Sequence, residues 1–433
     1  MSDRNEPERK LGRRDFLKTG AAATLGISAL NWSRESGANP PAPGGTKVPA
    51  APPKPAPNAP GAPRIEKFGI LGKTGIPISD ISFGSGDTAS PKLVRYAYRR
   101  GIRYFDTAES YPLGKPGLAE KAIGKALRGQ RQEVVIATKT IASPTVKRGV
   151  LMRRLEKSLR NLQTDYVDIF FNHAVNNVAR LENPEWYEFI ALAKKQGKIR
   201  ASGMSGHGGN LIECLDKALD ENLVDVILAA HNFGQDPAFY EHFTKNFDLV
   251  ANQVDLPRVL AKAHQQGVGV IAMKTLMGGK LNDLSEYQGG GATFAQAAFR
   301  WVLQNPNVDG LIVSMNSKNA INEYVAASGS GVASHSDLNL LLAYAQKNGR
   351  THCAHGCNVC ESSCPDEVAI SEVLRTRMYA EDYGLVDRAR AEYAALEHNA
   401  SPCLTCRDLS CLGTCPGGLD IPNLTRFTAT RLG

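Results

Sequence analysis

From Ile65 onward the chain repeats one unit: a short, β-branched, apolar run followed by an amphipathic helical stretch. Eight such runs can be read, at Ile81–Gly84, Ile102–Asp106, Val134–Lys139, Tyr166–His173, Ile199–Ser205, Val224–Asn232, Val268–Lys274 and Leu311–Met315. Between them lie helical patterns such as Leu93–Arg100, Val150–Leu162, Trp186–Gln196, Leu211–Glu221 and Phe294–Leu303. Strands that are apolar almost throughout must be buried on both faces, and strands separated by helices must run parallel. Eight units in about 250 residues give the α/β class and a closed (β/α)8 TIM barrel, over residues 65–335. A doubly wound sheet is the rival, but no Gly-x-Gly-x-x-Gly follows the first strand. Ahead of the first unit, Leu71-Gly-Lys-Thr-Gly75-Ile-Pro-Ile78 reads as a hairpin turning at Lys73 to Gly75.

The flanks differ from the barrel. Gly12-Arg13-Arg14-Asp15-Phe16-Leu17-Lys18 precedes a modest apolar run, Thr19–Leu30, that is too short to span a bilayer. A paired arginine before such a run predicts a twin-arginine export signal over residues 1–38, and hence a periplasmic or extracytoplasmic protein. Residues 39–64 form a Pro/Ala-rich linker: positions 40–63 hold ten of the 24 prolines, which favours an extended spacer. With 42% hydrophobic and 22% charged residues the chain is not wholly disordered. Its net charge of +8 is dispersed, without a basic face carrying aromatics, which argues against a nucleic-acid partner. No run approaches the roughly 20 apolar residues of a membrane span, so none is expected in the mature protein.

In a (β/α)8 barrel, chemistry sits at the C-terminal ends of the strands. Strand two ends at Asp106 and leads to Tyr111; strand three ends at Lys139; strand four ends at His173. These four side chains can deliver a proton to a carbonyl oxygen. Tyr111 is the weak acid, with an ordinary pKa of about 10. A Lys139 ammonium beside it is expected to favour the phenolate, with Asp106 holding Lys139 and His173 orienting the substrate oxygen.

Phe105-Asp106-Thr107-Ala108 with Tyr111, Ala137-Thr138-Lys139, Asp168-Ile-Phe-Phe-Asn-His173, the leading Leu-Gly-Lys-Thr-Gly and Gly197-Lys198-Ile199-Arg200 together resemble the aldo-keto reductase family over roughly residues 65–330. The resemblance implies a tetrad of Asp106, Tyr111, Lys139 and His173, with Tyr111 as general acid. It also implies hydride transfer from NADPH to an aldehyde or ketone, with a small carbonyl compound or sugar as substrate. For the dinucleotide it implies Ser205 and Asn232 near the nicotinamide, and Lys274, Leu276 and Gly278 around the pyrophosphate. Lys318, at the N-terminus of a helix suited to phosphate, and Glu323 fall on the adenine side. Several family contacts are altered. Gly206 and Leu228 stand where amide-holding residues are usual, Met273 replaces a stacking tyrosine, and Tyr324 an asparagine. Pro112 follows Tyr111, with extra residues before Glu120.

Eight of the nine cysteines lie between Cys353 and Cys415. They form Cys353-x3-Cys357-x2-Cys360-x3-Cys364-Pro and Cys403-x2-Cys406-x4-Cys411-x3-Cys415-Pro. Four thiols within about a dozen residues, the last before proline, match a ferredoxin run better than the split pairs of zinc sites. Residues 336–433 therefore resemble the ferredoxin-like tail of some exported aldo-keto reductases, a small α-helical domain with two 4Fe-4S clusters. In two-cluster ferredoxins the fourth cysteine serves the other cluster. On that pattern Cys364 joins Cys403, Cys406 and Cys411, while Cys415 joins Cys353, Cys357 and Cys360. Cys214 stands alone on a helical stretch and reads as a core residue.

The two halves are mismatched. NADPH delivers electrons in pairs, iron–sulfur clusters deliver them singly, and no flavin signature links them. The first reading is an NADPH-linked carbonyl reductase that carries clusters. The alternative is an electron-transfer oxidoreductase fed by a redox partner protein, whose barrel no longer uses nicotinamide. A binding barrel without turnover is the third.

Overall fold

The sheet closes on itself. The computed structural model describes residues 61–112, 114–235, 255–276, 287–289, 291–348, 353, 357–381 and 384–433. The export signal, most of the linker and Gly278 lie outside the described residues. The barrel strands are β3 (Ile81–Gly84), β4 (Tyr104–Asp106), β5 (Val135–Thr140), β6 (Val167–Asn172), β7 (Ile199–Gly206), β8 (Val226–Ala230), β9 (Gly269–Met273) and β12 (Gly310–Ser314). They pair in parallel in that order, and β12 closes onto β3 with Leu311 opposite Ile81. A short hairpin, β1 (Phe68–Ile70) and β2 (Pro77–Ser79), precedes the barrel, and a second, β10 (Gln288–Gly289) and β11 (Ala292–Thr293), precedes the helix that leads into β12.

Strand alternation divides the core in two. Tyr104, Ala137, Phe171, Val226, Leu228 and Ile271 fill the barrel interior, together with Leu71 and Ile78 of the leading hairpin. Outward-facing residues such as Phe105, Ile136 and Phe170 pack under the helices. Phe171 explains one glycine. A Cβ on Gly203 would lie 2.2 Å from the Val226 carbonyl oxygen and 2.7 Å from the Phe171 ring, so only glycine admits that ring.

The surrounding helices are α1 (Pro91–Arg99), α2 (Leu118–Leu127), α3 (Arg148–Leu162), α4 (Pro184–Lys195), α5 (Leu211–Asp220), α6 (Leu256–Gln265), α7 (Phe294–Leu303) and α8 (Lys318–Val325). Their starts are chemically marked. Ser90 and Ser317 accept from main-chain N–H groups of α1 and α8, and Thr293 with Gln296 forms a capping box on α7. Below the barrel, buried Asp168 accepts from Arg131, Arg200 and the Ile136 N–H, tying β5, β6 and β7 together.

The helix α9 (His335–Asn348), expected in the C-terminal part, packs on the barrel instead. Its Tyr344 ring lies 4.4 Å from that of Phe294, and Leu341 joins the barrel core. The remaining chain forms α10 (Ile370–Glu381), α11 (Val386–Ala394) and α12 (Ile421–Leu432), with its own core around Val373, Met378, Ala389 and Ile421. Among the described residues no helix is long and apolar enough to cross a membrane.

Candidate active site and cysteine groups

The end of β4 fixes the first residue. Asp106 is buried, and Tyr104, two residues earlier on the same strand face, lies 3.5 Å away through its hydroxyl. The Lys139 ammonium, at the end of β5, donates to Asp106 and, at 2.8 Å, to the Thr107 carbonyl. Burial pulls the Lys139 pKa down and the Asp106 pKa up, and in each case the partner opposes the shift. Tyr111 reaches back over this pair. Lys139 Nζ lies 5.2 Å from the centre of its ring, and its hydroxyl lies 3.4 Å from His173 Nε2. The four residues expected at the strand ends therefore do meet.

Their electrostatics differ from expectation. Tyr111 is raised far above the ordinary phenol value, first by burial and then by the Asp106 charge, with Arg388 pulling the other way. Lys139 does not prepare a phenolate here; it is spent on Asp106. His173 is lowered well below 6.5 by burial, Lys139, Arg180, Arg388 and Arg375, so at neutral pH its imidazole is uncharged. The arrangement is a protonated phenol beside a neutral imidazole, which can hand one proton to an oxygen placed between them.

Arg180, which sequence reasoning missed, holds the loop after β6. It donates to the carbonyls of Ala142 (2.9 Å), Ala174 (2.7 Å) and His173 (2.7 Å), and to Asn172 Oδ1 (2.7 Å). Ala174 sits in the left-handed region at φ 53°, a strained conformation that these bonds maintain. Ser205 works on the same loop: its hydroxyl accepts from the Ala174 N–H at 2.9 Å and its carbonyl from the Val175 N–H.

The expected dinucleotide residues are spread over the ends of β7, β8 and β9 and the length of α8. Lys274, also left-handed at φ 59°, donates to the hydroxyl of Tyr379 on α10. Asn232 braces that bend, donating to the Lys274 carbonyl at 3.2 Å while its Oδ1 accepts from Gly234 N–H. Leu276 is buried. Lys318 opens α8, with its ammonium 5.5 Å from the centre of the Tyr96 ring. The Glu323 carbonyl accepts from Gln296 on α7.

The C-terminal helices stand at the mouth. Arg388 on α11 pairs with Asp87, just beyond β3, and with Glu392 at 3.2 Å. A Cβ on Gly86 would meet Ser314 Oγ, Arg388 Nη1 and Tyr111 Cε2 within 3.6 to 3.9 Å, so all three crowd one point. No local sequence signal marks Arg388 or Tyr379 as part of a barrel site. Asn358, between Cys357 and Cys360, donates to Asn210 after β7 at 3.2 Å, so the first cysteine group also abuts the mouth.

None of the nine cysteines forms a disulfide. Burial raises the Cys353 thiol, as do the charges of Cys357, Cys360 and Cys415. Burial pushes Cys360 up to about 12, with Cys357 and Cys415 adding to it. In the other group, Cys403 and Cys411 are raised by burial and by Cys364 and Cys406. Cys415 thus lies near Cys353, Cys357 and Cys360, and Cys364 near Cys403 and Cys411. Cys364, Cys403, Cys406 and Cys411 also line a cavity with about 310 Å³ of empty space, counting the solvent at its mouth. Among the described residues no three His, Cys, Asp or Glu side chains converge on one ion. A single zinc would draw its thiolates to about 2.3 Å from a common point. Eight thiols in two groups form a soft donor set, of the kind that takes iron or zinc.

Residues 83–292 match the family model described as "Aldo/keto reductase family". This segment belongs to the aldo/keto reductase family. An uncharacterised oxidoreductase of Bacillus subtilis, YrpG, is 28% identical over 255 residues, covering 54% of this chain and 73% of that protein. The L-galactose dehydrogenase of Arabidopsis thaliana is 26% identical over 298 residues, covering 59% and 86%. A solved thermostable aldo-keto reductase in complex with the inhibitor epalrestat shares 25% identity with a TM-score of 0.50, covering 64% of this chain and 99% of that one. The aldo/keto reductase barrel makes this chain an oxidoreductase, and the C-terminal helices and cysteine groups lie outside the matched segment.

Proposed function

We propose that this chain is an exported oxidoreductase that reduces a small aldehyde or ketone, with Tyr111 protonating the substrate oxygen. The observation that carries this reading is the Tyr111 hydroxyl, 3.4 Å from His173 Nε2 above the buried Lys139–Asp106 pair. An oxygen bound between Tyr111 and His173 would take the phenol proton as the carbonyl carbon receives hydride. Arg180 and Ser205 keep His173 in place through the following loop. NADP(H) is the hydride source that the family implies.

Two 4Fe-4S clusters would be held by Cys353, Cys357, Cys360 and Cys415, and by Cys364, Cys403, Cys406 and Cys411. Such clusters supply electrons one at a time. Folded export by the twin-arginine route would carry them, already inserted, to an extracytoplasmic site.

A second reading is favoured by one contact. Lys274, expected to meet the dinucleotide, is engaged by Tyr379 of the C-terminal domain. On that reading the barrel works without nicotinamide and draws electrons through the clusters from a redox partner protein. Titration of NADPH into anaerobic, cluster-loaded protein separates the two. Binding, followed by carbonyl-dependent NADPH oxidation that Tyr111→Phe abolishes, supports the first. Absence of binding up to millimolar NADPH overturns it in favour of the second.

A further inference from the structure

The barrel mouth contains a second tyrosine–lysine pair, and there the contact is direct. The Tyr379 hydroxyl accepts from Lys274 Nζ, and from Arg375 Nη1 at 3.3 Å. The Arg388 guanidinium lies 4.2 Å from the centre of the Tyr379 ring and shares the Gly86 contact point with Tyr111. Tyr379 is only 3% exposed, so these cations act on its oxygen with little solvent between them. Three carboxylates balance the cations, but they bind elsewhere. Glu372 takes Arg375, Glu392 takes Arg375 and Arg388, and Asp87 takes Arg388. The phenolic oxygen itself is met by ammonium and guanidinium. Tyr111 is the reverse case, with its hydroxyl beside the neutral His173 and its cation, Lys139, committed to Asp106.

We propose that Tyr379, carried to the barrel mouth by the C-terminal domain and held by Lys274 and Arg375, is a second proton-exchanging residue of the site, acting on a second oxygen of the substrate. The inference rests on the carbonyl-reductase reading of the barrel and narrows its substrate class to compounds with a hydroxyl beside the carbonyl, as in a sugar. The step is proton transfer alone. As the carbonyl is reduced, the proton of the neighbouring substrate hydroxyl is shared with the Tyr379 oxygen and returns to the same substrate oxygen before the product leaves, so no net proton and no electrons are gained or lost at Tyr379. The electrostatics agree with the geometry. Burial pushes Tyr379 up, yet Lys274, Arg375 and Arg388 together outweigh burial and Glu392, leaving it below the ordinary tyrosine value. Two tyrosines in one mouth are thereby pushed in opposite directions, the pattern that separates a base from an acid.

The test has two arms on the full cluster-loaded chain, with the thermal midpoint of each variant as a check on folding. The first follows tyrosinate absorbance against pH. One of the 13 tyrosines should ionise ahead of the rest in the wild type and in Tyr111→Phe, be missing in Tyr379→Phe, and move to higher pH in Lys274→Met. Superimposable curves for wild type and Tyr379→Phe overturn the proposal. The second arm compares reduction of glyceraldehyde with that of propanal. Tyr379→Phe should slow glyceraldehyde reduction about 100-fold more than it slows propanal reduction. Equal loss on both overturns the role at a second oxygen. A wild type that reduces neither sinks the carbonyl reading, while the absorbance arm still decides whether Tyr379 is the readily ionised tyrosine.

Discussion

The barrel and the C-terminal domain carry their chemistry by different means. In the barrel, Asp106, Lys139 and His173 are placed by strand ends, whose positions follow from backbone pairing around a closed sheet. A side chain there has one rotamer's worth of freedom, and the sheet does not change if it is replaced. In the C-terminal domain the cysteines sit on short turns, around Glu361–Ser363 and Ser401–Leu404, with three helices and a small core behind them. A unit of this size with a small core would gain stability from any metal group that binds only its folded form. The barrel can lose its chemistry and keep its fold. The C-terminal domain is expected to lose both together.

The largest effect should come from removing whatever the thiols hold. Chelation, or Cys403→Ser with Cys411→Ser, should melt α10 to α12 while the barrel stays folded. Hydrogen exchange would then show lost protection over residues 357–433 and retained protection in β5 to β7. Equal protection with and without metal would erase the contrast between the regions.

Next comes the barrel's buried pair. Lys139→Met leaves the Asp106 carboxylate buried without its partner, and such removal costs about 3–5 kcal/mol. Chemical denaturation should find a loss of that size, and the double variant Lys139→Met/Asp106→Asn should recover part of it.

A smaller effect belongs to the seam. Arg388→Met removes charge-assisted bonds to Asp87 and Glu392, but Glu392 keeps Arg375, so the net loss is that of about one such bond, roughly 1.5–3 kcal/mol. The expected result is separation of the thermal unfolding of the two regions, read by calorimetry as one transition becoming two. A single, unsplit transition would mean that the seam is held by other contacts.

The smallest is a pH dependence. The unfolded chain takes up a proton at His173 near pH 6.5, whereas the folded chain resists until well below that value. The unfolded state therefore binds more protons in that interval, and stability falls as pH drops below about 6.5. His173→Gln should flatten that portion of the stability profile without altering it above pH 7.

Much of this molecule was legible in its residues. Strands and helices of the barrel followed from apolar period and glycine stops, with ends shifted by one or two positions. The tetrad could be named because a barrel brings strand ends together, whatever the sequence distance between Asp106 and His173. The nearness of Cys415 to the first cysteine group, and of Cys364 to the second, agrees with a pattern known from other chains. Two contacts were not legible. Helix α9 joined the barrel because Tyr344 and Leu341 complete an apolar surface left by Phe294, a match between faces invisible in either segment alone. Lys274 meets Tyr379 because the C-terminal domain folds back over the mouth, which nothing near Lys274 in the sequence signals.

The sequence by itself determined the eightfold alternation, the four strand-end residues and the two cysteine runs, since each depends on local period or spacing. Tertiary structure alone decided which charges those residues face. Tyr111 keeps its proton because it is buried beside Asp106, and Tyr379 yields its proton more readily because Lys274, Arg375 and Arg388 surround it. Burial and charge act through space at a few ångströms; Lys274 and Tyr379 lie 105 positions apart, and no local pattern encodes that meeting.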